Sequence, residues 1–183
     1  MALTDAKLNR IHRFGAVQRV MGILLMIFSL TMLPPMAVSW LYADGTAPAF
    51  GLALSINVVL GAMTWWPVRH SRAELKIRDG FLVTVLFWMV LGLSGAIPLY
   101  VADQPGLTIP QAVFESVSGL TTTGATVIVG LDGLPKALLY YRQQLQWFGG
   151  MGLVILAIAI LPMLGVGGMQ LYRAESLGPV KDT

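Results

Sequence analysis

One stretch holds residues whose types and spacing could do chemistry. Thr108–Gly130 reads Thr-Ile-Pro-Gln-Ala-Val-Phe-Glu-Ser-Val-Ser-Gly-Leu-Thr-Thr-Thr-Gly-Ala-Thr-Val-Ile-Val-Gly. It lies between two long apolar segments, yet is too short and too polar to cross a bilayer itself. Polar backbone at membrane depth is tolerated only where it is buried in protein or lines water. The chemistry this suggests is cation coordination by main-chain carbonyls. Thr121-Thr122-Thr123-Gly124-Ala125, drawn out as extended chain, would reach ~15 Å. Its carbonyls could replace the hydration shell of an alkali cation. Gly124 can take a positive φ without steric penalty and so turn a carbonyl toward a pore axis. Glu115 stands at membrane depth, where an ionisable group is costly and usually functional. Two readings of it stay open: a hydrogen-bonded brace behind the loop, or a merely buried acid.

A half-membrane helix must position that loop. Thr108 followed by Gln111 fits a capping box, and Pro110 falls in the first turn, where its missing N–H costs nothing. The spacing predicts a helix over about Ile109–Leu120, roughly 18 Å long. Gly119 and the threonine run stop it. Its C-terminal end then presents a partial negative charge to the cation path.

The elements around this hairpin are membrane spans. The chain has 183 residues, 56% of them hydrophobic and only 11% charged, against about 25% charged in a soluble domain. Mean hydropathy is +0.72. The uncharged runs Val20–Ala43 and Gly45–Val68 are each long enough for a hydrocarbon core of ~30 Å. Pro34-Pro35 should kink or end the first locally. Gly80–Ala102 forms a third span and Gln143–Tyr172 a fourth. Gly92, Gly95 and Ala96 would let a neighbouring helix approach closely, as would Gly149, Gly150 and Gly152. Pro162 and Gly165-Val166-Gly167-Gly168 break the last span near its inner end. Trp40, Tyr42 and Trp65-Trp66 mark interfacial belts.

Lys7, Arg10, Arg13 and Arg19 make the N-terminus basic, and Arg69, Arg72, Lys76 and Arg78 make a basic loop two spans later. The positive-inside rule puts both on the cytoplasmic side. With Arg173 and Lys181 returning there, the fold class is an all-α membrane protein with both termini inside. Residues 1–70 would form an N-terminal transmembrane hairpin. Residues 71–183 would form a helix–pore loop–helix module: span about 80–102, pore helix about 109–120, filter 121–126, span about 143–172. Asp44, Asp103 and Asp132 read as solvated outer-loop acids that weakly concentrate cations. Arg142 reads as an interfacial anchor and Trp147 as packing.

Several functions are excluded. The chain has no cysteine, so it has neither a disulfide framework nor a thiolate metal site. A net charge of +3 is too small and dispersed for nucleic acid binding. A serine protease built on Ser116 or Ser118 needs an adjacent base. Both histidines, His12 and His70, fall in the basic segments across the membrane, and no lysine lies within a span. The chain is therefore not read as an enzyme. Rivals that remain are a secondary carrier with broken midplane helices and a structural four-span subunit with a non-conducting re-entrant loop.

Phe114-Glu115-Ser116-Val117-Ser118-Gly119-Leu120-Thr121-Thr122-Thr123-Gly124-Ala125-Thr126 resembles the first filter of the TrkH/KtrB/HKT superfamily of potassium transporters. Gln146-Trp147-Phe148-Gly149-Gly150-Met151-Gly152 and Leu164–Glu175 are similar to its bacterial TrkH branch. The resemblance implies potassium uptake through a pore built from four such modules. It implies K+ ligands at Thr122 and Thr123, with Gly124 and Thr121 completing the segment, and no organic cofactor. It also implies the bacterial inner membrane, a homodimer, and a cytoplasmic nucleotide-binding regulatory subunit of the TrkA kind. Only one module is present here. The chain would be the N-terminal part of a longer transporter; the alternative is four copies around one pore.

Overall fold

Two adjacent prolines shape the first crossing. Neither Pro34 nor Pro35 has an N–H, so the carbonyls of Leu30 and Thr31 lose their intrahelical donors. In this computed structural model, which describes residues 2–70 and 77–163, the helix breaks there. Helix α1 runs Ala2–Leu30, a turn follows, and α2 runs Leu33–Tyr42 with proline in its first turn. Residues 15–42 together are apolar and long enough to cross a membrane.

Helix α3, Ala47–Trp65, returns alongside α1. Its buried stripe, Ala49, Ala53, Asn57 and Gly61, recurs every four residues, so one narrow face is made of small side chains. A Cβ on Gly22 of α1 would stand 2.8 Å from the Gly61 carbonyl oxygen. The two backbones meet there with no side chain between them. A 3-10 turn at Trp66–Val68 closes α3, and the Arg69 guanidinium lies 3.9 Å over the Trp66 ring.

Helix α4, Ile77–Val101, is the next span. Then come the short α5, Ile109–Leu120, and the long α6, Lys136–Met163. Helix α5 lies against both long helices. On α4, a Cβ at Gly92 would meet Val117 Cγ2 at 2.9 Å, and one at Gly95 would meet Ser116 Oγ at 2.5 Å. These are the close approaches that the small residues foretold. Tyr141 of α6, fully buried, donates to the Gly95 carbonyl at 2.9 Å and meets the Phe50 ring edge-on at 5.3 Å. It thereby joins α3, α4 and α6.

Among the described residues every element is helical, and three helices are long and apolar enough to span a membrane. Helix α6 adds 28 residues, or about 42 Å at 1.5 Å per residue. It begins at Lys136 rather than at Gln143, because the Pro135 carbonyl accepts from the amides of both Leu138 and Leu139 in its first turn. Trp40, Leu41, Met63 and Met89 are all more than half exposed on the outside of the bundle, as lipid-facing side chains are. Arg72, Lys76, Gly165–Gly168, Arg173 and Lys181 lie outside the described residues.

Candidate functional site

Helix α5 is fastened at both ends. At its start the Thr108 amide and hydroxyl both donate to Gln111 Oε1, at 2.9 and 2.8 Å. At its end four successive amides fold back onto the last turn. Thr121 N–H donates to the Val117 carbonyl at 2.8 Å and Thr122 N–H to Gly119 at 3.0 Å. Thr123 and Gly124 N–H both donate to the Ser118 carbonyl, at 3.0 and 3.3 Å.

Thr121–Ala125 is therefore not the extended chain that the sequence suggests. Thr121 sits at φ −80°, ψ 3°, and Thr122 is left-handed at φ 58°. Thr123 has negative φ, and Gly124 is left-handed again at φ 72°. In a strand, successive carbonyls would point to opposite sides. Alternation in the sign of φ turns successive peptide planes the same way. All four amides are used inward, and among the described residues none of the four carbonyls from Thr121 to Gly124 accepts a hydrogen bond. Residues 121–127 are exposed. Four unpartnered carbonyl oxygens thus fall in an exposed stretch of chain.

Side chains hold this stretch in place. Thr121 Oγ1 donates to the Val117 carbonyl at 2.8 Å, so the 2.8 Å contact between the Thr121 and Thr123 hydroxyls must be donated by Thr123. Ser118 Oγ donates to the Ala125 carbonyl at 2.7 Å. Ser118 thus grips the loop three times, and Ser116 is fully buried.

Glu115 sits behind the outer part of the loop. Its Oε1 accepts from the Val127 amide and the Thr126 hydroxyl, both at 2.6 Å. Its Oε2 accepts a hydrogen bond from Arg142 Nε of α6 at 2.9 Å, and an Nη of the same guanidinium lies 2.9 Å from it as an ion pair. The side chains are 1% and 10% exposed. Arg142 is consequently no interfacial anchor. It is buried, and its partner is 27 residues back in the chain. A charge-assisted hydrogen bond of this kind is stronger than a neutral one.

Helix α6 touches the loop twice more. A Cβ on Gly149 would fall 1.9 Å from the Leu120 carbonyl oxygen, so α6 meets the end of α5 backbone to backbone. Gln146 Nε2 is the nearest atom to a Cβ built on Gly124, at 3.8 Å. By contrast, nothing meets a Cβ at Gly150 closer than 4.0 Å.

The outer acids divide. Asp103 and Asp132 remain exposed. Asp44 does not behave as a solvated loop acid: its Oδ1 accepts from the Thr46 amide at 3.1 Å and the Thr46 hydroxyl at 2.8 Å, and also from Ser39 Oγ. Its Oδ2 accepts the Ala137 amide at 2.9 Å, which caps α6. Burial raises its carboxyl, but the bonds from Ser39, Ala137 and Thr46 outweigh that and hold it below its usual 3.8.

The family described as TrkH, cation transport protein, matches residues 46–183. This chain belongs to the TrkH family. Trk system potassium uptake protein TrkH from Halomonas elongata is 61% identical over 167 residues, and that from Vibrio parahaemolyticus 58% identical over 171. Those stretches cover 91% and 93% of this chain, and 35% of each relative. The crystal structure of the potassium transporter TrkH from Vibrio parahaemolyticus superposes with a TM-score of 0.80 at 56% identity, over 85% of this chain and 33% of that one. The chain spans about a third of the length of the TrkH relatives it matches. It is a membrane protein of a transporter family, and its relatives are named for potassium uptake.

Three features of the site escape a reading of the sequence: the left-handed Thr122, the Ser118 grip, and the Arg142–Glu115 pair. The last had a faint signal, since Arg142 and Glu115 are opposite charges in segments that are otherwise uncharged.

Proposed function

We propose that this chain supplies one filter segment of the pore-forming subunit of a Trk-type potassium uptake system in a bacterial inner membrane. The transported ion is K+, held by the carbonyls of Thr121, Thr122, Thr123 and Gly124, with Glu115 bracing the loop from behind. One observation carries this reading: four adjacent amides are tied inward while four adjacent carbonyls in an exposed stretch have no partner among the described residues. Such a stretch offers hard oxygen donors and no hydrogen-bond donor, which suits a cation stripped of water. The left-handed Thr122 ends α5 as a Schellman cap does, its amide bonded to Gly119 and that of Thr123 to Ser118, so the unpartnered carbonyls carry the reading.

In this reading residues 1–70 form the N-terminal hairpin and 71–183 the pore-loop module, with both termini cytoplasmic. One segment makes about a quarter of a closed ring of ligands. Further modules complete the ring, and the assembled protein is a homodimer served by a TrkA-like regulatory subunit.

The test is a chimera in which this chain replaces the matching segment of the Vibrio parahaemolyticus relative. Rubidium uptake into liposomes should exceed sodium uptake, and Gly124→Ser should erode that preference, because φ 72° is strained for any residue with a Cβ. The 183-residue chain alone should give no selective flux. Unchanged ion preference in Gly124→Ser would leave the loop a scaffold.

A further inference from the structure

Helix α6 is held from two sides. Arg142 faces the pore loop. Gln144, two residues on and therefore about 200° around the helix, faces the other way. Its Nε2 donates to the Thr31 carbonyl at 2.8 Å. Thr31 is the residue whose helical partner would be the amide of Pro35, which does not exist. A carbonyl orphaned by the proline break in the first crossing is thus satisfied by the helix that carries Arg142. Five residues before Arg142, the Asp44 carboxylate accepts the Ala137 amide. Both ties join the segment before α3 to α6, and α2 packs along α6 between them.

We infer that α2 and the turns at its two ends brace the filter through α6, with Gln144 as a positioning residue for ion selection. The brace is needed because α6 has no side chain separating it from the end of α5 at Gly149. Any shift of α6 therefore passes straight to Leu120, to Gly124 through Gln146, and to Val127 through Arg142 and Glu115. Gln144 and Asp44 fix α6 in rotation and in depth. This inference rests on the filter reading only for its consequence in selectivity; the mechanical link stands on the bonds themselves.

The experiment uses the same chimera in lipid nanodiscs and liposomes, with Gln144→Met and the double variant Pro35→Ala/Gln144→Met. Methionine keeps the length and removes the donor. Pro35→Ala gives the Thr31 carbonyl a main-chain partner without restoring the tie to α6. Gln144→Met should speed exchange of the Val127 amide by about five- to tenfold, the worth of one net hydrogen bond, and lower the preference for rubidium over sodium severalfold. The double variant should regain the melting temperature yet keep the fast exchange and the poor selectivity. Wild-type exchange and selectivity in Gln144→Met would overturn the inference. So would their full recovery in the double variant, which would make Gln144 a local cap only. If Gln144→Met does not assemble, Asp44→Asn loosens the second tie and the same two outcomes decide. A parent chimera that does not distinguish rubidium from sodium would sink the filter reading, while Val127 exchange would still decide the brace.

Discussion

Replacing Glu115 by glutamine keeps its shape and removes its charge, and the structure sets the size of the effect. Glutamine can still accept from the Val127 amide and the Thr126 hydroxyl through one oxygen. Its amide group then faces Arg142 donor to donor, and both 2.9 Å contacts with the guanidinium, one hydrogen bond and one ion-pair contact, are lost. Hydrogen bonds to charged groups contribute about 1.5–3 kcal/mol each. The two share one partner and are not additive, and a buried charge left without its partner costs about 3–5 kcal/mol in all. Glu115→Gln should therefore destabilise the protein by about 3–5 kcal/mol. Arg142→Met should cost a similar amount, since it strands the carboxylate instead. The double variant should lose much less than the sum, because neither charge is then orphaned. A double-mutant cycle on unfolding in detergent micelles measures that coupling, with Val127 amide exchange as the local readout. Additive losses, or a loss below ~1 kcal/mol for Glu115→Gln, would refute the argument and demote the pair to a screened surface contact.

Two further predictions test the supports. Asp44 is held below 3.8 when folded, so its contribution is fully present above that value and is lost as pH falls through the folded one. Melting temperature should therefore drop on acidification below pH 3.8, and less steeply in Asp44→Asn. Gly149→Ala places a Cβ 1.9 Å from the Leu120 oxygen. Because the obstacle is backbone, relief requires moving α6, and overpacking of this kind costs about 1–3 kcal/mol or more. Gly150→Ala, with nothing closer than 4.0 Å, should be near neutral in the same unfolding assay.

What could be read in the sequence was what composition and local pattern determine. Long uncharged runs gave the spans, because a bilayer admits little else. Thr108 and Gln111 gave the start of α5, since a cap is a four-residue affair. Gly124 gave a positive φ, the one thing glycine does that its neighbours resist. The remainder depended on partners far apart in the chain. Nothing near Arg142 announces that its carboxylate is Glu115, and an arginine at the edge of an apolar run looks the same whether it snorkels or turns inward. Asp44 looked like a loop acid because Ala137, which it caps, lies 93 residues on. Thr122 was illegible for the opposite reason. A β-branched residue argues against the left-handed region, and only the surrounding bonds to Val117, Ser118 and Gly119 overrule it.

Parallel dipoles repel one another, and the handedness of Thr121–Gly124 stacks four of them side by side. The amides pinned behind that row, with the Ser118, Thr121 and Thr123 hydroxyls, keep its planes from flipping. A bound cation would relax the repulsion, and any ligand that prefers the folded form stabilises it by mass action. If the loop is the filter segment proposed above, it should stiffen as potassium concentration rises, and the passing ion would help to keep its own gateway in shape.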